Sequence, residues 1–479
     1  MPDLLPWIQT HGELAFVILL SANALLTAYV ILLENREPEK SMAWFLALLL
    51  FPLIGFIFYL FLGRDWHKRS YQEKRLIHAL TVQRRKDHPY HAEAPGGAAA
   101  LEHDLRTLAA NATGHQATTG NRVTILTDAQ VKFPRLFAAL RAAKKTIDVE
   151  YFIFRYDRTG REMVEILKER AKAGVRVRFL VDGMGSIGFG AKAFPEMREA
   201  GIECHYFSPL LTVFYFLKIN YRDHRKIVVA DNETAFTGGI NIGNEYLGES
   251  HRGPWRDTSV ELQGPCVKEF AGLFEDAWCR TTGQPRTAVP DPRSFAGGET
   301  VNVIPSGPDA DWKAIHLHYL SLINSAERSL RIQMPYFIPD ESLMAALALA
   351  ALRNVKVELM LPSHPDWPYL RWVAHTYLDD LLRAGVRVYE YRVGFLHPKV
   401  IIADDAVASI GTCNIDIRSL RLDFEVNILV SSPKTVGHLL EDFERDMKLC
   451  DELEYAAFIE RPLRTRLKES LARLISPLL

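Results

Sequence analysis

The sequence is poor in the marks of several large function classes. Its five cysteines, Cys204, Cys266, Cys279, Cys413 and Cys450, stand at wide, unequal spacings with no Cys-x-x-Cys pair. That excludes a zinc ribbon or a disulfide framework and fits reduced thiols in a cytosol-facing domain. Net charge is nearly absent, with 57 Lys and Arg against 58 Asp and Glu. A chain-wide basic footprint for nucleic acid is therefore missing. The sequence shows no P-loop and no dinucleotide-binding glycine context, so it calls for no nucleotide cofactor. No His, Cys and Asp cluster has metal-site spacing, and no metal is required.

Long apolar runs, by contrast, are present at one end. Residues 14–33 (LAFVILLSANALLTAYVILL) and 42–62 (MAWFLALLLFPLIGFIFYLFL) carry no charge. At a helical rise each spans about 30 Å, the thickness of a bilayer's hydrocarbon. They read as a membrane hairpin, in which Pro52 and Gly55 are tolerable. A cleaved signal would want a basic leader, and MPDLLPWIQTHGE has none. After the second run come Arg64, Lys68, Arg69, Lys74, Arg75, Arg84, Arg85 and Lys86, whereas the intervening loop ENREPEKS carries one Arg and one Lys among three Glu. Positive charge stays inside, so both chain ends and the large carboxy-terminal part are expected on the cytoplasmic side.

Beyond a linker the chain alternates strand-like and helix-like segments, and it does so twice. TIDVEYFIF, REMVEILKERAKAG and VRVRFLVD are followed later by SLRIQMPYFIPD, SLMAALALAALRN and VKVELMLP. Tyr151-Phe152-Ile153 reads as the counterpart of Tyr336-Phe337-Ile338, and Ala200-Gly201 of Ala384-Gly385. Two similar α/β domains follow, joined at the Pro/Gly-rich stretch between Thr281 and Glu299. The expected division is a hairpin over 1–63, a basic juxtamembrane segment and linker over 64–105, domains over 106–284 and 301–451 with a linker over 285–300, and a tail over 452–479.

Each half carries His-x-Lys-x4-Asp-x6-Gly-x2-Asn, as His224, Lys226, Asp231, Gly238 and Asn241, and as His397, Lys399, Asp404, Gly411 and Asn414. One chance match has odds on the order of one in several million per starting position. Positions two apart on a strand share a face, so each His and Lys project together. A neutral imidazole beside an ammonium and an amide suits a phosphodiester. Lys and Asn hold the non-bridging oxygens, one His attacks phosphorus, and the other moves the leaving-group proton. Neither half alone has both a nucleophile and an acid. Asp231 and Asp404 read as structural acceptors or ion-pair partners more than as proton carriers. Asp257 and Glu425, with Asp423 as rival to the latter, are the candidates to orient the histidines.

These residues resemble the phospholipase D superfamily, which paired motifs of this kind define, and within it the bacterial cardiolipin synthases. The resemblance extends through NREPEKSMAW, NYRDHRKIVVAD, FTGGINIGNEY, WRDTSVEL, PYFIPD, GFLHPK and GTCNIDIRSLRLDFE, spread from residue 35 to 425. It implies two phospholipase D-like domains related by pseudo-two-fold symmetry after a transmembrane hairpin in the inner membrane. It implies a catalytic set of His224, Lys226, Asp231, His397, Lys399 and Asp404, with phosphate held by Asn241, Asn414 and Thr412. The reaction implied joins two phosphatidylglycerol molecules into cardiolipin and glycerol through a phosphatidyl-histidine, with His224 as nucleophile and His397 as acid and base. The motif symmetry permits the reverse. Water as acceptor, or phosphatidylethanolamine as donor, would use the same chemistry. Gly239 stands where the superfamily often has Ser or Thr, and Pro398 where Ala is common, which points to an edge strand.

Two apolar segments remain. The first half holds an insertion, LLTVFYFLKI over 210–219, just before His224; it reads as a buried element or as a lip that dips into lipid. In the tail, Leu463, Leu467, Leu471, Leu474 and Leu478 share one helical stripe, with Arg464, Lys468 and Arg473 on other faces. An interfacial helix and a helix docked on its own domain both fit.

Overall fold

The computed structural model describes residues 98–207, 221–250 and 253–474, with 38–51 and the single positions 14, 17, 18, 55 and 59. The chain divides into two compact units, residues 1–68 with 210–220, and residues 69–209 with 221–479. In the first unit the helix Pro38–Leu50 buries Leu48, and Trp44 meets Tyr59 edge-on at 5.4 Å. Among the described residues no helix is long and apolar enough to cross a membrane. Most of residues 14–33, residues 52–54, 56–58 and 60–62 of the second run, the basic segment 64–86, the insertion 210–219 and Leu478 lie outside the described residues.

The second unit is built on one 15-stranded sheet. Its first half contributes β1 (Thr118–Thr127), β2 (Thr146–Tyr151), β3 (Arg176–Asp182), β4 (Glu203–Phe207), β5 (Lys226–Ala230), β6 (Thr234–Gly238) and β8 (Thr258–Gln263), with the short β7 (Trp255–Arg256) outside the sheet. Its second half contributes β9 (Glu299–Ser306), β10 (Ser329–Gln333), β11 (Lys356–Pro362), β12 (Arg387–Tyr391), β14 (Val400–Ala403), β15 (Val407–Gly411), β16 (Glu425–Val430) and β17 (Cys450–Glu452), with the short β13 (Phe395–Leu396) outside it.

The order within one half mirrors the other. The trio β2, β3, β4 is parallel, β5 runs antiparallel to β2, and β6, β8 and β1 follow toward the middle of the sheet. In the second half β10, β11, β12 are parallel, β14 is antiparallel to β10, and β15, β16 and β9 follow. The halves join where β1 pairs antiparallel with β9. These strands are buried on both faces, which is why residues 227–230 of β5 and all of β14 read as apolar runs. One core cluster draws Val229 and Val260 from the first half and Val303, Ile402 and Ile428 from the second, so the halves share an interior.

The register corrects one reading of the repeat. The Asp231 amide donates to the Thr146 carbonyl and the Asp404 amide to the Ser329 carbonyl, each at 2.8 Å. Isolated bridges join Phe154 to Ile242 and Phe337 to Ile415. Thr146 therefore corresponds to Ser329 and Phe154 to Phe337, and Tyr151 stands against Met334, not Tyr336. A slip of two preserves the alternation of a strand, so the letters alone looked consistent. The helix Ala98–Thr113, which the expected boundary at 106 cuts, packs Leu101, Leu105 and Ala109 into the second half's core beside Leu322 and Ile323.

Two further readings change. Pro398 lies between β13 and β14, and β14 is flanked on both sides by β10 and β15. The proline precedes an interior strand, so its missing N–H removes no ladder bond and no edge is needed. The letters GMGSIG over 183–188 do follow β3 and open the helix Phe189–Glu199. They are not a phosphate cradle, because the Asp182 carboxylate already takes the Met184 and Gly185 amides at 2.8 and 3.1 Å. A Cβ on Gly185 would lie 2.2 Å from the Phe152 carbonyl, and that close approach is what requires glycine.

Candidate active site

Each motif histidine sits in the extended lead-in to an interior strand. His224 precedes β5 and His397 precedes β14. Both are pinned by the opposite half. The His224 amide donates to the Phe424 carbonyl at 3.0 Å, and the His397 amide to the Arg256 carbonyl at 2.7 Å. The strands β7 and β13 pair in parallel, Trp255 with Phe395 and Arg256 with Leu396, and an isolated bridge joins Asp223 to Phe424 in the equivalent place.

This crossing sets the side chains. His224 Nδ1 lies 2.8 Å from Glu425 Oε1, and His397 Nδ1 lies 2.6 Å from Asp257 Oδ2. A carboxylate from the other half thus receives each Nδ1–H, which leaves each Nε2 with its lone pair. Asp423 is engaged elsewhere, accepting from the Arg222 amide and the Arg418 guanidinium at 3.3 Å each. Thr412 donates its hydroxyl to Glu425 Oε2 at 2.5 Å and accepts from the Val426 amide at 2.9 Å. Expected at the phosphate, it instead braces the carboxylate behind His224. In the equivalent place a Cβ on Gly239 would fall 2.1 Å from Asp257 Oδ1. Glycine there makes room for Asp257.

The lysines lie beside their histidines. Lys226 Nζ is 2.6 Å from the His224 carbonyl; Lys399 Nζ is 2.6 Å from the His397 carbonyl and 3.0 Å from both ring nitrogens. Asn241 accepts from the Ile153 amide at 3.2 Å and donates to the Tyr246 hydroxyl at 3.0 Å. Asn414 donates to Ser419 at 3.3 Å, while its buried Oδ1 has no partner among the described residues.

The motif aspartates are structural. Asp231 accepts from the Lys144, Lys145 and Thr146 amides, and Asp404 from the Glu327, Arg328 and Ser329 amides, at 2.6 to 3.2 Å. Asp231 and Asn232 have φ of 56° and 54°, and Asp404 and Asp405 have 53° and 57°. Each pair makes the tight turn after the strand that carries the motif lysine's neighbours, β5 or β14, in a left-handed conformation that Asp and Asn tolerate best after glycine.

Electrostatics separates the two imidazole pairs. Burial, then Lys226 and Lys399, holds His224 well below the ordinary imidazole value. Burial and Lys399 bring His397 down to about 3. Burial likewise lowers Lys226 to about 8 and Lys399 to about 7. The carboxylates diverge. Burial works to raise Asp257, but His397 and Lys399 outweigh it and keep the group below its usual value. Burial raises Glu425 to about 7 against Lys226 and the Thr412 hydroxyl. Lys399 acts on His224 and Lys226 on His397, so the two motifs form one electrostatic site.

Aromatic rings wall this site, and the sequence reading did not assign them to it. Phe152 meets His224 edge-on at 4.9 Å, while Trp255, Phe395 and Tyr336 lie 5.3, 5.4 and 6.1 Å from the His397 ring. Their signal was position alone: Trp255 stands two residues before Asp257 and Phe395 two before His397.

Known proteins match along nearly the whole chain. The family profile described as "Cardiolipin synthase, PLD-like domain" matches residues 136–278 and 319–447, and "Phospholipase_D-nuclease N-terminal" matches 22–64. A cardiolipin synthase of Geobacillus kaustophilus (strain HTA426) is 39% identical over 472 residues, covering 97% of this chain and 94% of that one. The major cardiolipin synthase ClsA of Bacillus subtilis (strain 168) is 37% identical, covering 95% and 97%. Among solved structures, a phosphatidylserine synthase of Haemophilus influenzae Rd KW20 superposes with a TM-score of 0.60 at 16% identity, covering 78% of this chain and all of that one, a likeness of fold. With two mirrored α/β halves, two His-x-Lys-x4-Asp motifs and relatives of this identity over almost its full length, the chain belongs to the cardiolipin synthase family of phospholipase D-like proteins.

Proposed function

We propose that this site is a phosphatidyltransferase that makes cardiolipin and glycerol from two phosphatidylglycerol molecules by double displacement. The carrying observation is the pair of imidazoles, each with Nδ1 held by a carboxylate of the opposite half, so that Nε2 is the ring atom left to act, as nucleophile on His224 and as proton carrier on His397. His224 Nε2 attacks the phosphorus of the first lipid. The bond to its headgroup glycerol breaks as His397, which takes up a proton at Nε2 when the anionic phosphodiester binds, gives that proton to the departing oxygen. The free hydroxyl of the second lipid's headgroup then returns a proton to His397, attacks the phosphatidyl-histidine and frees His224. One phosphodiester replaces another, so no energy-supplying cofactor enters the balance.

The two carboxylates support this division of labour. Asp257 keeps its charge, which favours an imidazolium at His397, the form an acid needs. Glu425 is nudged toward neutrality, which favours the uncharged imidazole a nucleophile needs. Lys226 and Lys399 supply charge to the phosphate oxygens, more strongly for being out of water. The aromatic wall limits water, whose attack would give phosphatidic acid.

The chain acts on lipid from the cytoplasmic face of a bacterial inner membrane, anchored by residues 14–33 and 42–62, with the positive flank after the second run setting that orientation. Purified protein supplied with defined lipids tests the reaction. Glycerol released in step with cardiolipin, and a labelled phosphatidyl group trapped on His224, are expected. Phosphatidic acid as sole product would overturn the reaction, and a label on His397 would invert the roles.

A further inference from the structure

The tail helix Leu463–Arg473 presents two opposed faces. Toward the protein it buries Glu469 and Ala472, which are 2% and 8% exposed. Ala472 packs against Ile338 and Val373, Glu469 accepts from His375 Nδ1 at 3.2 Å, and Arg461 holds the same carboxylate at 3.0 Å. Outward it leaves Leu463, Leu467, Leu471 and Leu474 at 70, 54, 66 and 75% exposure. At about 100° per residue these four leucines cover an arc of about 80°, centred roughly opposite Glu469 and Ala472. Arg464 and Lys468 flank the stripe on one side and Arg466 and Arg473 on the other.

The exposed stripe has a place relative to the site. The helix docks on Ile338, two residues beyond Tyr336, whose ring lies 6.1 Å from His397. Lys468 lies 5.9 Å over Trp372 and Arg473 5.2 Å over Tyr377. Trp372 is partly exposed and Trp367, at the start of the same supporting helix Pro368–Ala384, is 57% exposed. Outward leucines, cations on both flanks and nearby tryptophans are what a helix lying in a lipid interface needs.

We infer that the Leu463–Arg473 helix lies in the surface of an anionic bilayer, leucines in the acyl boundary and the four flanking cations at the headgroups, holding the end of the second half near His397 against its lipid supply. Charge decides the occupant. The helix's one acid, Glu469, is turned inward, so a second copy of this face would set four cations against four others, whereas anionic headgroups complement them. The inference rests on reading the site as one that acts on phospholipid.

The test uses the full chain in nanodiscs of phosphatidylglycerol and phosphatidylcholine, with the photoreactive substitution Leu467→p-benzoyl-phenylalanine. A lipid adduct is expected from position 467 and none from Thr465 on the docked side. In discs of phosphatidylcholine alone the yield should fall about fivefold or more. An adduct between two protein copies, or no lipid adduct, would overturn the inference. Because this readout needs no turnover, it stands apart from any failure of the proposed reaction. As a second arm, Leu467→Lys with Leu471→Lys should slow synthesis in vesicles and leave it unchanged in detergent micelles; equal rates in vesicles would overturn the inference.

Discussion

His397 is oriented by Asp257, 140 positions earlier in the chain and in the opposite half, at 2.6 Å. The reciprocal pair, His224 with Glu425, spans 201 positions at 2.8 Å. Each half therefore supplies the carboxylate that meets Nδ1 of the other's histidine. Asp257→Asn should keep the fold, because the amide fills the same space, but it can present its own N–H to Nδ1 and favour the wrong tautomer. A fall in kcat of about 10²–10⁴ is expected, with KM little changed. Single-turnover kinetics with labelled phosphatidylglycerol would measure it; wild-type kcat would refute the orienting role.

Behind those carboxylates the halves differ, and the difference is testable. Gly239→Ser would place a Cβ 2.1 Å from Asp257 Oδ1, so the carboxylate must move and His397 loses its partner. Thr412→Val keeps volume but removes the hydroxyl that Glu425 accepts. Both should lower kcat, the first by about 10²-fold or more and the second by about tenfold, given the worth of one hydrogen bond to a charged group. Circular dichroism should show both variants folded.

Much of this site was legible in the sequence, and the parts that were not share a cause. The motif residues could be nominated because a phosphodiester calls for imidazole, ammonium and amide together, and the structure brings the two His–Lys pairs into one electrostatic site. Asp257 and Glu425 could be nominated from their positions, yet which histidine each one serves depends on the crossing of β7 with β13 and of Asp223 with Phe424. Nothing local encodes such a crossing. The slip that matched Tyr151 with Tyr336 arose the same way, since strand alternation looks identical two residues out of register. The turn role of Asp231 and Asp404 was half visible, in Asp-Asn and Asp-Asp pairs between apolar runs, a hairpin signature.

That turn role predicts a stability effect apart from chemistry. Asp404→Ala removes the acceptor of three backbone amides and puts alanine at a φ of 53°. A loss of about 2–4 kcal/mol is expected from the stranded donors and the left-handed backbone. Denaturant midpoints should shift accordingly. Activity per folded molecule should stay within about threefold of wild type, because Asp404 touches neither imidazole.

The buried lysines set the alkaline limb of activity. Burial lowers Lys399 to about 7 and Lys226 to about 8, so in the free enzyme the charge that receives the phosphate is lost as pH rises through that window. Bound phosphodiester, being anionic, raises both values. The limb in kcat/KM should therefore fall between about pH 7 and 8, while the limb in kcat lies higher. On the acid side burial, Lys226 and Lys399 hold His224 well below the usual imidazole range, so the nucleophile keeps its lone pair and no loss is expected near pH 6.5. Identical alkaline limbs in kcat and kcat/KM would contradict this account.

The clamp under the tail helix should also loosen as pH rises, and it has an acid limit as well. His375 lies between Glu390, at 2.9 Å, and Glu469, at 3.2 Å, with Arg371 on Glu390 and Arg461 on Glu469. Burial works against its charge, but the two carboxylates outweigh burial and raise it above the ordinary imidazole value of 6.5. The stabilisation this gives is complete below 6.5 and is lost as pH climbs through the raised value. Burial opposes the charge of Glu390 as well, and His375 and Arg371 overcome it, lowering the group from 4.5 to about 2. Its share is present above 4.5 and lost as pH falls toward 2. Docking of the helix Leu463–Arg473 should therefore be tightest between about pH 4.5 and 6.5. Amide exchange across that helix, corrected for the intrinsic pH dependence of exchange, should show greatest protection there. His375→Gln should flatten the alkaline decline, and a decline that survives the substitution would place its origin elsewhere.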